Sequence, residues 1–242
     1  MTERERILKL LEEGKITADE AVRLLEALGR SSSAAEPLRR GVEYVNTLFR
    51  NVFRTLPLML KEVVRNPLQE PVDLQFPVSE GFTLRHVGGD LTLRFVARDQ
   101  AHLRAHGYAH QNGHTLEVVS EETLLEFPED RRFHLELAGG DLFAEGKTAG
   151  GSVEFVGGDL RWTLPALTGD LEIRGETGDA LLRIPAPLLE HLHLHLEVHQ
   201  GTLRLPDRPP RDNGQHSQPG PGPALHIQVV FGDLTIEPWA KS

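Results

Sequence analysis

The tripeptide Gly-Asp-Leu, or a close variant of it, recurs along this chain, and most copies open a segment in which apolar and polar residues alternate. After Asp159, for example, Leu160, Trp162 and Leu164 are separated by single polar residues. Glycine adopts the positive φ of a tight corner, and an aspartate side chain accepts a hydrogen bond from a nearby backbone N–H. The repeat therefore predicts corners that each lead into a β-strand. The predicted structural corners are Gly89, Asp90, Gly140, Asp141, Gly158, Asp159, Gly169, Asp170, Gly178, Asp179, Gly232 and Asp233.

The spacing of these corners indicates the architecture. Asp159, Asp170 and Asp179 are 11 and 9 residues apart, which leaves room for one strand of about 5 residues and a corner. Because the period is imprecise, we expect an irregular coil. The predicted fold class is mainly β, with an irregular β-solenoid or β-helix-like domain over residues 67–242, preceded by an α-helical hairpin and a long amphipathic helix.

The distribution of charge separates two regions. Residues 1–65 hold 12 Lys and Arg and 10 Asp and Glu, a net +2, whereas residues 66–242 hold 14 and 26, a net −12. Such an acidic β region repels a phosphate backbone, so we expect no nucleic-acid partner. Cysteine is absent, which excludes disulfides and thiolate chemistry. The charged start contains no signal peptide, so we expect a cytoplasmic protein.

Capping patterns predict two short helices over residues 1–29. Thr2 with Glu5, and Thr17 with Glu20, each place a hydroxyl at the N-cap and a carboxylate three residues later. Apolar residues recur at helical spacing, so the helices can pack as a hairpin. Its second helix carries one cation, Arg23, and we therefore favour a protein-interaction hairpin over a DNA reader. Residues 30–37 are predicted to be a linker.

Residues 38–66 show a heptad pattern, which predicts one amphipathic helix with a kink at Pro57. Three uses of its apolar side are open: capping the β domain, pairing with another subunit, or binding anionic lipid. The last use follows from an excess of Arg and Lys over Glu in this segment. The interaction seam consists of Val45, Phe49, Val52 and Leu56.

The run from Glu5 to Leu28, with Gly14-Lys15-Ile16-Thr17 at its centre, resembles the SHOCT-like helical hairpin that begins bacterial YvlB- and LiaX-like proteins. The Gly-Asp-Leu strands that follow resemble the β-rich "putative adhesin" domain that accompanies this module. The resemblance covers most of the chain. It implies an accessory protein of the cell-envelope stress response, and it brings no catalytic residues.

Histidine is abundant in this chain, with 12 residues, and it forms clusters. In the run from Glu190 to His199, His residues alternate with Leu, as on a strand with one apolar side. A solvated strand explains this pattern better than Zn²⁺, which would need a third fixed ligand. We therefore predict no structural metal and no cofactor, with His191, His193 and His195 as the candidate set to test.

No nucleophile elbow, phosphate loop or zinc-protease motif is present, and we expect no enzyme. The Pro- and Gly-rich segment 206–223 is predicted to be a disordered loop. The leading hypothesis is an interaction or scaffold protein that contacts a protein partner through its hairpin. The alternatives are a sensor at the membrane surface that binds anionic lipid through the amphipathic helix and, remotely, a carbohydrate-active solenoid enzyme.

Overall fold

The structure, a computed structural model, describes residues 71–239. These residues form one sheet of 16 strands and one short helix, so the prediction of a mainly β solenoid is confirmed. The predicted hairpin, linker and amphipathic helix lie outside the described residues. The strands are β1 Pro71–Pro77, β2 Thr83–Val96, β3 Gln100–Asn112, β4 Thr115–Pro128, β5 Phe133–Ala138, β6 Leu142–Glu145, β7 Gly151–Val156 and β8 Leu160–Thr163. They continue with β9 Leu171–Thr177, β10 Ala180–Pro185, β11 His193–Gln200, β12 Thr202–Arg204, β13 Arg211–Asp212, β14 Gln215–Gln218, β15 Ala224–Phe231 and β16 Leu234–Trp239, and helix α1 spans Ala186–His191.

The repeating unit is a rung of two strands joined by a Gly-Asp corner. The pairs β5–β6, β7–β8 and β9–β10 are such rungs, and each strand pairs in parallel with its equivalent in the next rung. Strand β2 spans a whole rung and continues through the corner without a break. Its first half pairs with β5, and its second half pairs with β6. Parallel pairing in register stacks equivalent residues directly above one another.

The order of rungs in space differs from their order in the sequence at both ends. Strand β4 pairs with the outer edge of β2, while the chain continues on the other side of β2 with β5. At the far end, β15–β16 lies between β9–β10 and β11–β12, although it follows both in the sequence. The solenoid is therefore irregular in connectivity while its strands stay in register.

The core lies between the two sheet sides of the solenoid and is built from stacked apolar columns. One column is formed by Leu84, Leu135, Val153, Ile173, Ile227 and Leu196, all at most 2% exposed. A group of aromatic rings fills the first rungs, where Phe95 stacks on Trp162 with ring centres 5.7 Å apart. Each such fully buried large apolar side chain contributes roughly 1.5–3 kcal/mol to stability.

Antiparallel strands cover both ends of the coil. At one end β3 pairs with β4, and β1 pairs with β3. At the other end β13 pairs with β12 and β14 pairs with β11, so that residues 211–218 run back along the last rung. The outer edges of β4, β11 and β12 are therefore paired within the chain.

Strands β13 and β14 correct the expectation that residues 206–223 are a disordered loop. The prolines of this segment flank the two strands, and the strands themselves contain neither Pro nor Gly. Between them, the N–H of Asn213 donates to the carbonyl of Gly201 and the N–H of Val198 donates to the carbonyl of Gly214, each at 2.9 Å. These two hydrogen bonds attach Asn213 and Gly214 to the last rung, β11–β12.

Helix α1 has 6 residues and connects β10 to β11. Within residues 71–239, no helix is long and apolar enough to cross a membrane.

Candidate interaction surface

A column of aspartates follows one corner of the solenoid. Each carboxylate accepts a hydrogen bond from the backbone N–H at the same position of the neighbouring rung, with N to Oδ1 distances of 2.7–3.0 Å. We call this column the aspartate ladder. It is formed by Asp90, Asp141, Asp159, Asp179 and Asp233, and Thr202 is the last donor.

A column of glycines lies beside the aspartate ladder. A Cβ on Gly158 would lie 1.8 Å from the carbonyl oxygen of Gly140, and one on Gly178 would lie 1.8 Å from that of Gly158. Both residues also have positive φ, +79° and +117°. The column continues through Gly89, Gly140 and Gly232. Stacked backbones at this distance explain why each corner of the ladder requires glycine.

The predicted corner Gly169-Asp170 lies elsewhere, at the start of β9. Its Asp170 accepts a hydrogen bond from the N–H of Ala224 at 2.9 Å, and Gly169 packs against the carbonyl of Ala149. One rung therefore has two kinds of corner, and in the consecutive rungs from β5–β6 to β9–β10 the ladder aspartates are 18 and 20 residues apart. The intervals of 11 and 9 read from the sequence are the two parts of one rung.

The first face is the outward side of β5, β7, β9, β15 and β11 with the first half of β2. It carries a hydrogen-bonded chain of side chains across three strands. Ser152 Oγ is 2.6 Å from His134 Nδ1, and His134 Nε2 is 3.1 Å from Glu136 Oε1. The second oxygen of Glu136 accepts from Arg85 Nε at 2.8 Å. The register of β2, β5 and β7 places these side chains next to one another on the sheet, and their hydrogen bonds set the distances.

The electrostatics of the first face follow from these contacts. The hydrogen bond to Glu136 raises the pKa of His134, against the opposing effect of burial. Burial acts to raise the pKa of Glu136, but hydrogen bonds from His134 and Arg85 outweigh it and leave that pKa below its ordinary value. Together, Arg85, Glu136 and His134 form an ion-paired cluster beside an uncharged hydroxyl.

The first face also contains a groove with a cavity volume of about 590 Å³. His134 and Ser152 line it, and so does Arg132. Its remaining lining residues are Glu80, Gly81, Phe82, Phe133, Gly151, Asp170, Leu171, Glu172, Ala224 and His226. This volume falls in the range of small-molecule sites.

The predicted metal candidates lie near the far end of the first face. His191 is the last residue of α1, while His193 and His195 are exposed on β11. His195 meets His226 of β15 edge to face, with ring centres 4.7 Å apart. Among residues 71–239, no group of three or more His, Cys, Asp or Glu side chains is arranged to hold a metal ion.

The second face is the outward side of β6, β8, β10, β16 and β12 with the second half of β2. Arg161 lies over the ring of Phe143, 5.6 Å from its centre, and both line a groove of about 580 Å³ with half-buried Leu181. No carboxylate within residues 71–239 pairs with Arg161, whereas Arg183 pairs with Glu237 at 3.1 Å. An arginine, an aromatic ring and an apolar side chain together are typical of protein contact sites.

Besides Glu136, two ionisable side chains are buried within residues 71–239. Burial raises the pKa of Glu176 to about 7, and its Oε2 has no hydrogen-bond partner in the described part of the chain. Burial lowers the pKa of His86 to about 4, although nearby Asp90 acts in the opposite direction. The Nε2 atom of His86 is 3.0 Å from Thr123 Oγ1. Both groups therefore favour their neutral forms inside the coil.

Sequence reasoning did not identify the cluster of His134, Glu136 and Ser152. The pair His134 and Glu136 is visible in the sequence as an i, i+2 pattern on one strand. Ser152 joins it only through the register of β5 with β7, which the sequence does not reveal.

Comparison with known proteins supports part of the predicted organisation. Residues 2–33 match the SHOCT-like domain, which confirms that part of the resemblance. Among solved structures, a "putative cell adhesion protein" from Clostridium sporogenes is 12% identical with a TM-score of 0.48, over 70% of this chain and 100% of that one. A "putative adhesin" from Bacteroides fragilis is 11% identical with a TM-score of 0.31, over 72% of this chain and 99% of that one. Comparison with curated proteins gives no match.

Proposed function

We propose that this chain is an interaction and scaffold protein with an accessory role in the cell-envelope stress response of a bacterium. In this proposal the SHOCT-like segment recruits a protein partner, and the β-solenoid presents a rigid surface. The protein acts in the cytoplasm, at the inner side of the membrane. The stress role and the relation to YvlB- and LiaX-like proteins rest on the resemblance of the N-terminal segment.

The aspartate ladder is the observation that supports a scaffold best. Each rung is tied to the next by a charge-assisted hydrogen bond as well as by two strand ladders, so the two faces move as one body. A rigid surface loses little conformational entropy when a partner binds. On the second face, Arg161, Phe143 and Leu181 offer the chemistry of a contact site for an acidic and apolar surface of a protein.

The test is capture of a protein partner by the full chain in bacterial cells, with crosslinking and mass spectrometry to identify it. Leu24→Asp interrupts the apolar pattern of the predicted hairpin, Arg161→Glu reverses the charge on the second face, and Ser217→Ala is a matched control on exposed β14. We expect Leu24→Asp to abolish capture, Arg161→Glu to weaken it roughly tenfold, and Ser217→Ala to leave it unchanged. Capture that survives both of the first two changes would contradict the proposal.

The second candidate function is a sensor at the membrane surface. The observation that favours it is the basic character of residues 38–65, in which Arg39, Arg40, Arg50, Arg54, Lys61 and Arg65 are opposed by Glu43 and Glu62 alone. Co-sedimentation with phosphatidylglycerol vesicles tests it. Binding that falls as ionic strength rises, and that is absent with phosphatidylcholine vesicles, would favour lipid contact.

A further inference from the structure

We propose that Ser152 is a nucleophile for acyl transfer, activated by His134 and oriented through Glu136, and that this site hydrolyses carboxylic esters with a short acyl group. This activity goes beyond the scaffold role and does not depend on it. It differs from the sequence-based expectation of a non-enzymatic protein, and the experiment below decides between the two.

The hydrogen-bond pattern determines which atom of His134 carries the proton. A carboxylate only accepts, so the neutral imidazole must hold its proton on Nε2, which lies 3.1 Å from Glu136 Oε1. Nδ1 is then an acceptor, and the hydroxyl of Ser152 donates to it across 2.6 Å. A nucleophile bonded to a base, and a base oriented by a carboxylate, is the arrangement that activates serine in hydrolases of unrelated folds.

Arg85 keeps the carboxylate of Glu136 in place. Its Nε donates to Glu136 Oε2 at 2.8 Å, which leaves Oε1 for His134. Arg85 is itself held by Glu117, at 3.5 Å, on the neighbouring strand β4. Arg85 and Glu136 are positioning residues, because they act on the reaction only through His134.

The surroundings of Ser152 can receive a substrate. Ser152 and His134 are both half-buried and both line the groove of about 590 Å³, so the hydroxyl is accessible from solvent. Arg132 brings a positive charge into the same groove, which favours the negative charge that develops on the carbonyl oxygen during attack. The groove combines the apolar side chains of Phe82, Phe133 and Leu171 with a few charged ones, and its volume suits a small ester with a short acyl chain better than a long lipid chain.

The reaction proceeds in two balanced halves. Ser152 Oγ attacks the carbonyl carbon while its proton passes to His134 Nδ1, and collapse of the tetrahedral intermediate expels the alcohol, which takes that proton. The product is an ester of Ser152. Water then attacks this ester, again losing a proton to His134, and the carboxylic acid leaves as Ser152 recovers its proton. Water is the one co-reactant.

The experiment treats the full chain with a fluorophosphonate probe and, separately, with p-nitrophenyl acetate, and locates the adduct by peptide mass spectrometry. We expect both reagents to modify Ser152, and Ser152→Ala to remove the adduct. His134→Gln should slow modification roughly 100-fold. Ser217→Ala, at an exposed serine on β14, should leave the rate unchanged.

The pH profile distinguishes a positioning role for Glu136 from a structural one. Modification requires neutral His134, so its rate should rise with pH, and Glu136→Gln should move this rise to lower pH because the carboxylate no longer favours the charged imidazole. Glu154 and Glu172 also carry charge on neighbouring strands of this face, so the control for a general loss of charge is Glu145→Gln, on β6 of the second face and away from the groove. Melting curves confirm that each variant is folded.

Two results would overturn this inference. One is a folded parent protein whose Ser152 reacts no faster than Ser217. The other is a modification rate at Ser152 that neither His134→Gln nor His134→Ala changes. The contact between Ser152 and His134 would then be a polar pair across two strands and nothing more. Partner capture by Ser152→Ala is independent of both results and reports on the scaffold proposal alone.

Discussion

The central rungs and the late rung β15–β16 of the solenoid use the same corner but differ in chain order. Between Asp159 and Asp179 the ladder bond joins residues 20 apart, and between Asp179 and Asp233 it joins residues 54 apart. Their N to Oδ1 distances are nevertheless similar, 3.0 and 2.8 Å. A rung is therefore defined by its corner and its strand register, whichever part of the chain supplies its residues.

The largest expected effect is at the central corner. Gly178→Val should reduce the free energy of unfolding by more than about 4 kcal/mol, because its Cβ would lie 1.8 Å from a backbone oxygen and its φ is +117°. Gly113→Val is the matched control, since Gly113 has a φ of +60° but no atom near its Cβ. Chemical denaturation measures both. Equal losses at the two sites would show that backbone contact between rungs is unimportant.

The next effect concerns the buried carboxyl of a central rung. The pKa of Glu176 is raised to about 7 from 4.5, so its neutral form stabilises the fold below pH 4.5 and that contribution is lost as pH rises through 7. Glu176→Gln should therefore stabilise the protein by about 3 kcal/mol at pH 8 and change little at pH 4. Denaturation at both values measures this. Exposed Glu237→Gln should show no such difference.

The rung formed by β2 should respond to pH in the opposite direction. The pKa of His86 is lowered to about 4 from 6.5, so stability is complete above pH 6.5 and falls as the pH decreases toward 4. We expect a loss of about 2 kcal/mol at pH 5 relative to pH 8, and His86→Gln should remove this loss. An unchanged slope in the variant would assign the acid sensitivity to another group.

The ladder bonds themselves allow the two rung orders to be compared directly. Asp159→Ala removes the acceptor for the N–H of Asp179, and Asp179→Ala removes the acceptor for the N–H of Asp233. Each should cost about 1.5 kcal/mol, while the corresponding Asn variants keep an acceptor and should lose less than half of this. If chain order contributed to the bond itself, the two Ala variants would differ in equilibrium stability.

The smallest effect is expected on the second face. Arg183 and Glu237 form an exposed pair across β10 and β16, and Arg183→Ala should change stability by less than about 0.5 kcal/mol. Thermal melts at low and high salt measure this. A larger, salt-dependent loss would show that ion pairs contribute to holding the late rung in place.

The corners explain which parts of the fold were predictable. Gly-Asp-Leu reveals a solenoid because a tight corner needs glycine at the positions of Gly158 and Gly178, and no long-range information is required to see it. The insertion of β15 between β9 and β11 depends on contacts between distant segments, for which the sequence has no local signal. Ser152 and His134 meet for the same kind of reason, through register, so that candidate site was not predictable. Residues 211–218 were misjudged because composition was averaged over a segment whose prolines lie outside the strands.

The position of β15–β16 also has a consequence for synthesis on the ribosome. Strands β11 and β12 emerge from the ribosome before the strands that join them to β9 and β10 exist. The apolar side chains of residues 193–204 therefore lack their final neighbours until residues 224–239 have been translated. Until then β11 and β12 lack the neighbouring strands that connect them to β9 and β10.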